Sequence, residues 1–301
     1  MATFILSYPD TAFVPHGAQA NPAAASQAFA QWLKLADEIH RAHGRILVLD
    51  PGYVGKLSSV YAALLGSSFL SPGKLPRPVF LRSNHGEPVA EDAIGRTIAD
   101  AGLELRVATQ PWQGQVDVIP LERNRFVITY GGVSGSSAAS VEEVKALLPM
   151  GAQILTIELA PSCPRGSAAI GFLNPSSGRP VLLVSRPLLK SHTPEDLGRF
   201  LGDKVDVLIM DSDDTAAFAS EALNVRGTLI LPMGCSTILR GVLFRRGFRL
   251  VEVDVSALVG PAGGGPKLLT SELSGLVLSD DAPSYLLRRD RLVSLQAEYP
   301  S

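Results

Sequence analysis

The two cysteines, Cys163 and Cys235, are the strongest nucleophiles this sequence offers. A thiol attacks only as its thiolate, so a working cysteine needs a neighbouring cation or base. Cys163 stands between Ser162 and Pro164, and its one evident partner is Arg165. Cys235 sits in Pro232-Met233-Gly234-Cys235-Ser236, which reads best as a small buried residue at a strand-to-helix turn. His85, in a polar loop with Arg82 and Glu87, is the histidine best placed to reach a pocket, although a solvated turn accounts for the same residues. His192 precedes a helix N-cap, and His40 and His43 fall at a helix end, where they complement its dipole. The loops 131–140 and 161–167 are small and polar and can offer backbone N–H groups to an anion. No nucleophile–base pair is complete and no Cys/His cluster has zinc spacing, so neither a metal nor another cofactor is expected.

These residues are carried on a recurring pattern: apolar strand, turn, second strand, amphipathic helix, third strand. One copy runs Val116 to Leu121, Phe126 to Tyr130, a helix from Val141 to Leu148, then Ile154 to Leu159. The next runs Ala168 to Leu173, Pro180 to Val184, a helix from Pro194 to Leu201, then Val205 to Met210. Another runs Phe218 to Leu223, Thr228 to Leu231, a helix from Thr237 to Arg246, then Arg249 to Val253. Earlier, Val60 to Leu65, Val79 to Leu81, a helix from Ala90 to Ala101 and Leu103 to Val107 fit the same order. Thr3 to Ser7, a helix over Pro22 to His43, Ile46 to Leu49 and a C-terminal strand Leu276 to Leu278 make a fifth unit. A period of roughly 40–50 residues is the signature of propeller-like arrays or solenoids. Thr193-Pro194-Glu195-Asp196 supplies a helix start, and Arg245-Arg246-Gly247 a helix stop. Strand-rich units with one helix each predict strands around a centre and helices outside.

With 301 residues, 46% hydrophobic and 19% charged, the chain can bury a sizeable core. No linker divides it into compositional halves, so one domain over 1–301 is expected. The net charge of −2, without a long basic run, argues against nucleic acid or an anionic membrane as a partner. Two distant cysteines make no disulfide framework, which favours a reduced cytoplasm. The apolar start Met1 to Asp10 is too short for a signal peptide and lacks its basic flank, and no apolar run is long enough to span a bilayer.

The segment Ala262-Gly263-Gly264-Gly265-Pro266-Lys267-Leu268-Leu269-Thr270 resembles the glycine-rich tail motif of the guanidino-group-modifying enzymes, the pentein superfamily. That superfamily includes arginine and agmatine deiminases, dimethylargininases and amidinotransferases. The resemblance extends upstream through Thr228-Leu229-Ile230-Leu231-Pro232, Gly234-Cys235 and Gly247 to Asp254, and more weakly over most of the chain. It implies an α/β fold, a five-fold pseudosymmetric propeller of ββαβ-type repeats. It also implies that Leu268 stands where the family has its nucleophilic cysteine, and Gly166 near its acid/base histidine. Ser58 falls at the early substrate-binding acid. In Gln113-Gly114-Gln115-Val116-Asp117, which resembles the Glu-Gly-x-Gly-Asp motif, the glutamate is Gln113 while Asp117 is kept. The arginine expected after Tyr130-Gly131 is missing. Displacing nitrogen from a guanidinium needs a thiolate, a proton donor and carboxylates to hold the cation. The resemblance therefore implies the scaffold without the reaction. The candidate pocket residues are Asp117, Arg82, His85, Cys163, Arg165, Ser58, Gln113, Gly264 and Gly265.

A rival resemblance attaches to Leu208 to Thr215, which is similar to the Asp-x-Asp-Gly-Thr motif of haloacid-dehalogenase-like phosphatases. It would make Asp211 a nucleophile and Asp211 and Asp213 magnesium ligands. Asp214 replaces the motif's glycine, and the span to Asp281 is too short for that fold, so an acidic loop after a buried strand is the simpler reading. Two functions stay open: a catalytically degenerate pentein that binds a small molecule or a partner, as a possible homodimer or with another protein, or an enzyme using the central pocket for non-thiol chemistry. The first is preferred, because no replacement nucleophile–base pair is visible.

Overall fold

A computed structural model describes residues 2–7, 9, 22–49, 61–71, 77–84, 95, 97–99, 101–122, 124–133, 135–273 and 286–298. Its strands form five separate three-stranded sheets with one shared topology. In each sheet the middle strand pairs antiparallel with the first strand of the unit and parallel with the third. The sheets are β3 (Gly66–Ser71), β4 (Arg77–Arg82) and β5 (Glu104–Val107); β6 (Val118–Pro120), β7 (Arg125–Gly131) and β8 (Gln153–Leu159); β9 (Ile170–Leu173), β10 (Val181–Val184) and β11 (Asp206–Ile209); and β12 (Leu223–Val225), β13 (Thr228–Pro232) and β14 (Arg249–Val253). The fifth is shared by the two ends of the described chain: β15 (Thr270–Glu272) lies antiparallel to β1 (Thr3–Ser7), which lies parallel to β2 (Arg45–Leu49).

The alternation of pairing follows from the connections. A tight turn can join only antiparallel strands, and a parallel pair needs a crossover. Between β12 and β13 the turn is Arg226-Gly227, with φ of 53° and 81°. That is the doubly left-handed conformation matching strand twist in a two-residue hairpin. The crossovers are helices: α1 (Pro22–Arg41), α2 (Ala138–Lys145), α3 (Pro194–Leu201) and α4 (Thr237–Arg245). The expected start of α3 is present as a capping box, with Thr193 Oγ1 accepting from Asp196 N and the Asp196 carboxylate accepting from Thr193 N. Ser137 caps α2 and Ser236 caps α4 with the side-chain bond alone, accepting from Ser140 N and Leu239 N. Apolar helix faces close over the sheets, as where Trp32, Leu35 and Ile39 of α1 join Phe4, Leu6 and Ile46 in one cluster. Among the described residues no helix is long and apolar enough to cross a membrane.

The expected repeats hold, but their first strands begin later than the apolar runs do. Ala62–Leu65, Gly114–Asp117, Gly166–Ala169 and Ala219–Glu221 are helical turns, each leading into the first strand of a unit. Buried helical turns and buried strands are equally apolar, so periodicity does not separate them over so few residues. The α2 helix also begins and ends earlier than Val141 to Leu148, because Ser137 caps it. The closing strand is Thr270–Glu272; Leu276 to Leu278 lie outside the described residues.

Together with turn 266–269, the four helical turns form a closed ring. Ala63 N donates to Leu268 O (3.2 Å) and Lys267 N to Glu221 O (2.9 Å). Ser220 Oγ donates to Ala168 O (2.8 Å), and Gly166 N to Asp117 Oδ1 (2.9 Å). The remaining junction is a backbone approach so close that a Cβ on Gly114 would lie 2.6 Å from Ala63 O.

Candidate functional site

The ring brings two buried carboxylates to its interior, where the protein's own donors give Glu221 four hydrogen bonds and Asp117 three. Asp117 ends the second turn. Its Oδ1 accepts from Thr129 Oγ1 (2.8 Å) and Gly166 N (2.9 Å), and its Oδ2 accepts a very short bond from Ser136 Oγ. Ser136 is oriented for this role because its oxygen accepts from Gln113 N at 3.0 Å. Burial pushes the Asp117 pKa up, and the hydrogen bonds from Ser136, Gly166 and Thr129 oppose that rise.

Glu221 lies in the fourth turn with no exposed surface. Arg165 grips it with two prongs, Nε to Oε1 at 2.5 Å and Nη2 to Oε2 at 2.9 Å. Ser167 Oγ adds a bond to Oε1 (2.6 Å), and Gly265 N one to Oε2 (2.8 Å). Four donors fill the lone-pair directions of one carboxylate. Arg165 also donates to Gly263 O (3.1 Å) and stacks 5.1 Å from the Phe218 ring centroid. Burial favours the neutral guanidine, but the Glu221 charge and hydrogen bond outweigh it and hold the Arg165 pKa above its ordinary value.

Leu268, 2% exposed, closes this cluster. A Cβ on Gly264 would lie 2.6 Å from Leu268 Cδ2 and 2.9 Å from Arg165 Nη2, while one on Gly265 would lie 2.8 Å from Glu221 O. The glycine run is therefore a requirement of close approach. Gly166 is tighter still: a Cβ there would lie 2.0 Å from Thr129 Oγ1 and 2.9 Å from Asp117 Oδ1. Tyr61 packs into the same cluster as Leu268 and donates to Val259 O at 3.0 Å. Burial raises its pKa, Arg165 lowers it and Glu221 raises it.

Of the expected pocket residues, the structure brings together Asp117, Gly166, Arg165, Gly264, Gly265 and Leu268, with Gln113 joined through Ser136. Arg82 ends β4, paired with Gly66 and Val107. Ser58 and His85 lie outside the described residues. Cys163 is fully buried, its Sγ 3.2 Å from Arg165 O, and burial pushes its pKa up to about 12. The guanidinium of Arg165 is turned to Glu221, so it does not serve this thiol as a partner. Cys235 is likewise a core residue with its pKa pushed up to about 12 by burial, as its turn position implied.

Asp211 caps the turn Ser212–Ala216 by accepting from Asp214 N at 2.8 Å. Asp214 accepts from Ser236 N (2.7 Å) and Ser236 Oγ (3.0 Å), tying the acidic loop to the start of α4. Among the described residues no group of three or more His, Cys, Asp or Glu side chains is placed to hold a metal ion.

Sequence reasoning missed Glu221, Ser167 and Tyr61. The signal for Glu221 was its own isolation: an acid inside the apolar run Phe218 to Leu223 must find a buried partner.

No protein-family model and no curated protein matches the sequence. Solved structures do match in fold. The N-terminal domain of ArgZ, an arginine dihydrolase from the ornithine-ammonia cycle in cyanobacteria, was solved as a cysteine-to-serine variant bound to substrate. It matches with a TM-score of 0.73 at 19% identity, over 91% of this chain and 98% of that one. AgrE, as a cysteine-to-alanine variant with L-arginine, matches with a TM-score of 0.73 at 18% identity, over 94% of this chain but only 41% of AgrE. A histidine-to-glycine variant of dimethylarginine dimethylaminohydrolase, as its adduct with S-methyl-L-thiocitrulline, gives 0.61 at 14% identity, over 90% of this chain and 98% of that one. The chain thus has the pentein fold that its glycine run resembles.

Proposed function

We propose that this chain is a pentein-fold protein without thiol-dependent guanidine chemistry, and that its scaffold serves to bind a small molecule or a protein partner. The observation that carries this reading is the occupation of Glu221 by the protein's own guanidinium, on Arg165, beside the buried Leu268. A substrate guanidinium would need two free lone pairs on one carboxylate for a bidentate grip; all those of Glu221 are taken, and Asp117, with three donors, cannot offer two. It would also need a thiolate, and leucine at the position given by the resemblance has no lone pair. A histidine at Gly166 has no room even for its Cβ. The buried free thiols fit a reducing cytoplasm.

The test is incubation with arginine, agmatine and methylated arginines, followed by assay for citrulline-type product. We expect none above a buffer blank from the native chain, and none from Leu268→Cys, which regains a thiol but no proton donor. Product formation by the native protein, abolished by a substitution at Glu221, would overturn the proposal.

A further inference from the structure

Lys267 and Leu268 are neighbours in the ring, but they face different surroundings. Leu268 packs against the glycine run, whereas Lys267 lines a separate cavity of about 590 Å3. That volume lies in the range of small-molecule sites, roughly 300–1,000 Å3. Phe172 of β9, Pro120 at the end of β6 and Ala2 are its accessible apolar wall, with Ile119 and Leu223 buried beneath.

Most polar groups around the cavity are committed elsewhere. Asn224 Nδ2 donates to Asn174 O (2.7 Å) and Ser176 Oγ to Arg226 O (3.1 Å). Gln115 is locked to the Glu272 backbone by two bonds, of 3.2 and 2.8 Å. Two cations also line it: Arg226, which is exposed, and the half-buried Lys267, whose ammonium is different. Among the described residues it has no hydrogen-bond acceptor and no carboxylate within 4.0 Å. Burial drives its pKa down, against the opposing charges of Glu221 and Glu272. Burial drives that of Glu272, on the same cavity, up against the charge of Lys267. The Lys267 ammonium is half-buried and has no protein counter-ion among the described residues, so a ligand carboxylate can pair with it without displacing a partner.

We propose that this cavity binds a small carboxylic acid, its carboxylate paired with Lys267 and its apolar body against Phe172 and Pro120. The site deepens the binding reading above and rests on it for the protein's role.

The experiment is ligand-observed NMR and calorimetry on the full chain with benzoate, phenylacetate and hexanoate, each beside its neutral amide. Inorganic phosphate is run as a bare anion. We expect at least one carboxylate to bind at least about tenfold more tightly than its amide, a difference of about 1.4 kcal/mol. Lys267→Met should erase that preference, and Lys267→Gln supplies the same comparison if the methionine variant misfolds. Three results would overturn the proposal: no carboxylate bound at concentrations up to about 10 mM, carboxylate affinity unchanged in the lysine variants, or phosphate bound as tightly as the carboxylates. Citrulline release by the native chain would sink the binding reading and leave this result standing. Absence of carboxylate binding would sink the site alone.

Discussion

Arg165 and Glu221 form a two-pronged ion pair inside the ring of turns, and it bridges the third and fourth repeats. Arg165 is 7% exposed and Glu221 fully buried, so neither charge is hydrated in place of its partner. Removing one partner from such a pair typically costs about 3–5 kcal/mol, because the other charge is left stranded. Glu221→Gln and Arg165→Met should each lower the unfolding free energy by about that much, read from urea denaturation. The double variant Arg165→Met/Glu221→Gln should be less destabilised than the two losses added together. Simple additivity would mean that the two residues do not stabilise each other.

Gly166 is expected to tolerate no side chain. A methyl there would meet Thr129 Oγ1 at 2.0 Å and Asp117 Oδ1 at 2.9 Å, inside the hydrogen-bond network of a buried carboxylate. Neither neighbour is the free end of a flexible chain. Gly166→Ala should therefore destabilise by at least about 1–3 kcal/mol, the usual range for overpacking. A melting temperature equal to that of the native chain would show that the ring can open at this point. The control is Gly198→Ala on α3, where an added Cβ meets only Val207 Cγ2 at 3.9 Å and the backbone is helical, so no loss is expected.

How much of this was legible in the sequence varied with the range of the interactions involved. The start of α3 was readable because Thr193, Pro194 and Asp196 cap it locally. The five-unit order was readable because each crossover helix separates two apolar strands. The helical turns were not readable, since Ala168 in a turn and Leu173 in a strand are equally buried. The Arg165–Glu221 pair joins residues 56 positions apart, and nothing local in either segment announces the other. Leu268 drew attention only through the glycine run. Its burial and its contact with Gly264 are products of the closed ring.

Both thiols should be chemically silent in the folded protein. Cys163 and Cys235 are buried, and burial pushes each pKa up to about 12. At neutral pH the thiolate fraction is negligible, and it grows only as pH climbs toward that value. A disulfide exchange reagent at pH 8 should titrate neither thiol in the native chain and both in denaturant. Rapid labelling of Cys163 under native conditions would show that the region beside Arg165 is open to solvent.

Lys267 should leave a signature in the pH dependence of stability. Its folded pKa is lowered from 10.5, burial being the main cause and the charges of Glu221 and Glu272 opposing it. For a base with a depressed folded pKa, the unfolded chain binds more protons between the two values, so stability rises with pH across that window. The penalty for burying the ammonium is fully present below the folded pKa and vanishes above 10.5. Replacing Lys267 by methionine keeps most of the volume and removes the charge. Lys267→Met should therefore be more stable than the native chain at neutral pH, with an advantage that shrinks as pH approaches 10.5. Glu272 adds an acid-side consequence, because the ammonium that opposes the rise of its pKa is gone in this variant. Its pKa should climb further, so the variant carries the larger Glu272 penalty near neutrality, and its advantage is greatest below pH 4.5, where Glu272 is protonated in every state. Urea midpoints measured from pH 4 to pH 10.5 for both proteins check the sign, and an advantage that grows with alkaline pH would mean that Lys267 is charged and satisfied in the fold.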